Sequence, residues 1–65
     1  MEYKIIKEIL AFPKNSRKWH KEINIIQWGN NPQKYDLRGW NDDHTEMTKG
    51  VTLSEEEYQF LKDNL

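Results

Sequence analysis

No cysteine occurs in the chain, which removes disulfides and thiolate zinc sites from the means by which a short sequence is usually held together. Its three glycines are scattered, so there is no glycine-rich phosphate loop, and no serine stands in a nucleophile elbow. The expectation is a protein that is not an enzyme and uses no cofactor. Long apolar runs are missing too. The longest, Ile5 to Phe12, is interrupted by Lys7 and Glu8 and is too short for a transmembrane helix or the core of a signal peptide. A soluble, cytoplasmic, nucleoid-associated protein with no membrane partner is expected. Repeats, linkers and low-complexity tracts are also absent.

What is present must fold economically. Sixty-five residues, 35% hydrophobic and 32% charged, make one domain over residues 1–65, and a chain this short buries a small share of its surface. With disulfides excluded, oligomerisation is the remaining aid to stability, and a homodimer is expected.

The net charge of −1 does not by itself indicate a nucleic-acid binder, but its distribution is uneven. From Lys14 to Arg38 six basic residues face only Glu22 and Asp36, a balance of +4. Over the last twelve residues Glu55, Glu56, Glu57 and Asp63 face only Lys62, a balance of −3. Any phosphate contact belongs to the middle of the chain.

The residue pattern predicts four strands and one helix. Tyr3 to Phe12 is isoleucine-rich and stops at Pro13, which cannot donate to a ladder. After the polar turn of residues 13–16, Lys18 to Trp28 reads as a second strand. Its phase is mixed, because Ile23 and Ile25 alternate on one face while Ile26 and Trp28 take the other. Either both faces are covered or a bulge resets the register. Gly29-Asn30-Asn31-Pro32 is a strong turn signal. Lys34 to Trp40 then places Tyr35 and Leu37 on an apolar face, with Asp36, Arg38 and Trp40 on a polar and aromatic one. Asn41 to Lys49 reads as a polar loop and Gly50 to Leu53 as a short fourth strand. Ser54 and Glu57 form a capping box, and Leu53 is placed to staple against Tyr58. Tyr58, Leu61 and Leu65 give the helix a narrow apolar stripe for the core or a dimer contact.

Two tryptophans near strand ends suggest a platform for bases. Trp28 and Trp40, with Arg38 on the face of Trp40, offer π-surfaces on which bases stack with little sequence demand, at about 1–3 kcal/mol per base. Lys18, Lys21, Lys34 and Lys49 are available for phosphates. The competing expectation is structural: tryptophans in small proteins mostly serve cores or interfaces, and strand lysines mostly guard edges. Trp19 shares the phase of Ile23 and is expected in the core. His20, Asp42, Asp43, His44 and Glu46 are ligand-type side chains, but three of them are consecutive in a polar loop without ligand spacing on a regular element. A solvated turn is expected there, and no metal site.

The stretch Tyr35-Asp36-Leu37-Arg38-Gly39-Trp40, followed by Lys49-Gly50-Val51-Thr52-Leu53-Ser54-Glu55-Glu56-Glu57-Tyr58, resembles the positive-cofactor (p15) transcriptional coactivator family, most closely its bacterial YdbC-like branch. Trp19, Lys21-Glu22, Trp28 and the Pro32 to Lys34 turn also resemble that branch, and the likeness covers residues 17 to 65. It implies an α+β fold: a curved four-stranded antiparallel sheet followed by one C-terminal helix, homodimeric, with single-stranded DNA as ligand and the transcription or replication machinery as possible partners. By position the resemblance assigns nucleic-acid contacts to Trp28, Arg38, Trp40, Lys49 and Gly50, and more loosely to Lys18, Lys21 and Lys34. The chain departs from the family where Gly39 replaces a larger residue and where no arginine stands at Ile25 or Ile26. Serine-rich regulatory sequence is absent. A homodimeric protein-interaction module without nucleic-acid binding is the alternative.

Overall fold

A computed structural model describes residues 2–65 and orders them as β1 (Tyr3–Ala11), β2 (His20–Trp28), β3 (Lys34–Trp40), β4 (Met47–Leu53) and α1 (Glu55–Asp63). The strands form one antiparallel sheet in the order β1-β2-β3-β4. This is the α+β architecture expected, four strands and a C-terminal helix. The third strand has the expected limits. The fourth begins at Met47 rather than Gly50, so the polar loop is shorter than its composition suggests. The hairpin between β2 and β3 closes with Gly29 at φ 54°, a left-handed conformation that costs glycine little.

The mixed phase of β2 reflects coverage on both faces. Its register against β3 runs unbroken from His20↔Trp40 to Ile26↔Lys34. Bulges occur instead in the edge strands: β1 carries one extra residue between Ile5 and Lys7 and another between Glu8 and Leu10, and β4 carries one opposite Gly39. Each bulge bends its strand and increases the local twist, and irregular edges resist pairing with other chains.

Directly paired residues share a face of the sheet, so the register sorts the side chains. One face carries Tyr3, Glu22, Asn24, Ile26 and Trp28 with Asp36, Arg38 and Trp40. Here lie the fully enclosed side chains, and they are mostly polar: Ile26 and Trp40 beside Glu22, Asn24 and Asp36. Buried polar groups are tolerated when bonded. Asn24 Nδ2 donates to Glu22 Oε1 (2.9 Å), and Arg38 donates to both Asp36 oxygens (2.7 and 2.8 Å). Asn24 Oδ1 and Trp40 Nε1 have no partner.

The opposite face carries an apolar row across all four strands, Leu10↔Ile23↔Leu37↔Val51. The helix covers part of this side, touching β3 and β4, with Tyr58 stacked on Tyr35 at 3.9 Å between ring centroids. Its start is the expected capping box: Ser54 Oγ accepts from the Glu57 N–H, and the Glu57 side chain accepts from the Ser54 N–H. Tyr58 and Leu61 are half-buried, whereas Leu65 is 96% exposed, so the expected core role does not extend to Leu65 within one chain.

Candidate nucleic-acid interface

Arg38 and Trp28 lie against each other on the face of the sheet that carries the buried side chains. The Asp36 carboxylate grips Arg38 in a bidentate pair, which fixes the plane of the guanidinium, and that plane lies 4.7 Å over the Trp28 ring. The Arg38 Nη1 also reaches Met47 Sδ at 3.5 Å. Tyr3 tilts against Trp28 from the other strand, ring centroids 5.7 Å apart. Trp28 is half-buried. The result is a rigid cation–aromatic pair in which the guanidinium, its side chain 14% exposed, covers one face of the Trp28 ring, and the half-buried Trp28 is the planar group left for an unstacked base.

Trp40 does not join this surface. It shares the face of Trp28 and Arg38, as the alternation predicts, but it is 0% exposed. Tyr3 packs on it with centroids 5.4 Å apart, and His44 packs on it at the same separation. The expectation of an exposed stacking ring at Trp40 is corrected: the strand pattern gives the face but not the loop and edge strand that close over it. The same closure buries Asp36, so this side of β3 is an interior rather than a wet surface.

The lysines divide between the two ends of the sheet. Lys34 pairs with Ile26 and lies exposed at the hairpin end near Trp28. Lys21 pairs with Gly39 and so lies on the opposite face, with Ile23 and Leu37, and Lys49 and Gly50 are exposed at the same end of the sheet, where β4 begins. Among the described residues Lys21, Lys34 and Lys49 make no ion pair. Lys18 is paired with Glu46 at 2.8 Å, both side chains half-exposed; such a surface pair contributes little and yields readily to a competing anion. Gly50 has a packing reason as well as an expected role, because a Cβ there would collide with the Arg38 Cβ and the Leu37 carbonyl oxygen.

Trp19 is the aromatic that phase alone undervalues. Half-buried rather than core, it lines a cavity of about 280 Å³ with Asn15, Ser16, Lys21, Gly39 and Thr48, and Lys18 Nζ lies 5.0 Å from its ring centroid. At Gly39 a Cβ would meet Thr48 Oγ1 at 2.9 Å, so the missing side chain admits the Thr48 hydroxyl, which accepts from the Gly39 N–H at 2.9 Å. The clustering of Lys18 and Lys21 around Trp19 in the sequence is the signal that could have marked it.

The family model for Transcriptional Coactivator p15 (PC4) matches residues 15–64. An uncharacterized protein of Treponema pallidum (strain Nichols) is 45% identical over 47 residues, a match covering 72% of this chain and 55% of that relative. The chain thus spans little more than half the length of the curated relative it matches.

Proposed function

Because the chain belongs to the Transcriptional Coactivator p15 (PC4) family, we propose that it binds single-stranded nucleic acid, DNA foremost, with little regard to sequence. Bases rest on Trp28 beside the Arg38 guanidinium, and phosphates meet Lys34 at one end of the sheet and Lys18 and Lys49 at the other, whereas Lys21 belongs to the opposite face with Ile23 and Leu37. The observation that carries this reading is the Asp36-anchored guanidinium over Trp28. Such a platform is already ordered, so little conformational freedom is lost when a base stacks. Lysines on flexible stems suit an uneven backbone, where a point charge serves better than a fixed fork.

The second element of the proposal is a homodimer. The row Leu10, Ile23, Leu37 and Val51 is open at both ends, with Leu10 49% and Val51 56% exposed, and Phe60 on the helix is 70% exposed. A second copy of this sheet face would bury what one short helix leaves uncovered. A role beside the transcription or replication machinery belongs to the same proposal.

Tryptophan fluorescence titrated with oligo-dT tests the function. Quenching that saturates, with an affinity falling steeply as salt rises, is expected of phosphate contact. A protein-interaction module would give neither, and an unquenched, salt-independent signal would overturn the proposal.

A further inference from the structure

The chain contains two histidines, and both reach the same carboxylate. His20 Nε2 lies 2.5 Å from Glu22 Oε2, and His44 Nε2 lies 2.8 Å from that oxygen and 3.0 Å from Oε1. His20 and Glu22 are two residues apart on β2, so the strand's period brings them to one face. His44 arrives from the β3–β4 loop. From this convergence the geometry points to a divalent transition-metal site, of zinc type, formed by His20 Nε2, His44 Nε2 and one Glu22 oxygen. It does not rest on the nucleic-acid reading, although Glu22 pairs directly across the sheet with Arg38.

Three features distinguish this cluster from a solvated turn. The ligand atoms all lie within 4.8 Å of one another. Ligands at about 2.0–2.2 Å from tetrahedral zinc stand roughly 3.3–3.5 Å apart, so insertion of the ion requires the two nitrogens to draw back from the carboxylate by less than about 1 Å. Two histidines and one carboxylate are also the set that leaves a fourth position open to water, and His44 and His20, with side chains 32% and 15% exposed, give the ion a path in.

The carboxylate ligand has the outer partner that a metal site requires. Ligating carboxylates are themselves hydrogen-bonded, and ligating histidines usually turn their second nitrogen to a carboxylate or carbonyl. Asn24 Nδ2 holds Glu22, while the Asp42 carboxylate, 4.0 Å from His20 Nδ1 and bonded to Lys14 Nζ at 3.0 Å, lies near that ring without hydrogen-bonding it. His44 itself is held at φ 59°, a left-handed conformation that non-glycine residues keep only where surroundings impose it, often at ligand clamps. The Tyr3 hydroxyl donates to the His44 carbonyl at 2.6 Å, and the His44 N–H donates to the Asn41 carbonyl at 3.1 Å.

Isothermal titration of the purified chain with Zn²⁺, in parallel with visible absorption on adding Co²⁺, tests the site. One ion per chain and cobalt bands of a four-coordinate nitrogen–oxygen site are expected. His44→Gln and His20→Gln should each weaken binding at least tenfold. Should a variant fail to fold, the unaltered chain still decides the matter by NMR: Zn²⁺ should move the ring signals of both histidines together. No binding, undiminished binding by both histidine variants, or shifts confined to Asp42, Asp43 and Glu46 would overturn the site.

Discussion

The Arg38 guanidinium lies over the Trp28 indole at 4.7 Å, and the buried Asp36 carboxylate holds it there through two hydrogen bonds. The three side chains act as one unit. Asp36 is enclosed and would be left as an uncompensated charge without Arg38, while Arg38 keeps its orientation only because Asp36 accepts from two of its nitrogens.

Trp28→Ala should lower affinity for single-stranded oligonucleotides of every composition by about 1–3 kcal/mol, because a stacking ring does not read sequence. Arg38 would remain tied to Asp36, so far-UV circular dichroism should hold. Unaltered affinity would remove Trp28 from the interface.

Trp40→Ala should act on the fold. A fully enclosed tryptophan truncated to alanine costs about 3–5 kcal/mol, a large part of the stability of a domain this small. Trp40→Phe keeps a ring against Tyr3 and His44 and discards an N–H that has no acceptor, so it should stay folded and bind oligonucleotide normally. Thermal melts together with titrations separate the two effects. A folded Trp40→Ala protein that no longer binds would return this ring to the ligand surface.

These opposite expectations for two tryptophans show where the sequence was legible. Strand three, the capping box at Ser54 and Glu57, the turn at Gly29 and the shared face of Trp28, Arg38 and Trp40 all follow from local chemistry and a period of two. The burial of Trp40 does not. It depends on Tyr3 and His44, 37 positions before and four after, and on how an edge strand with two bulges folds over the sheet. Those bulges also explain why Ile5, Ile6, Ile9 and Leu10 show no clean alternation. The convergence of His20, Glu22 and His44 was hidden for the same reason, since a loop conformation with positive φ brings the third member in.

Lys49→Ala should reduce the slope of log affinity against log salt by about 0.7, the change expected for one phosphate contact on a single strand. Lys21→Ala should leave the slope unchanged, because Lys21 belongs to the opposite face of the sheet with Ile23 and Leu37. An unchanged slope for Lys49→Ala would take Lys49 off the phosphate path. Lys18→Ala should give a smaller change, as Lys18 exchanges Glu46 for the phosphate.

Val51→Glu tests the homodimer. Val51 ends the apolar row that begins at Leu10, and at 56% exposure it accepts a charge in a single chain at little cost. In a dimer joined through this face the carboxylate would be buried without a partner, which is strongly unfavourable. Sedimentation should therefore show a dimer for the unaltered protein and a folded monomer for the variant. A monomer in both would leave the row as ordinary exposed surface. A dimer in both would move the contact elsewhere, and the uncovered Phe60 side of the helix would be the next surface to charge.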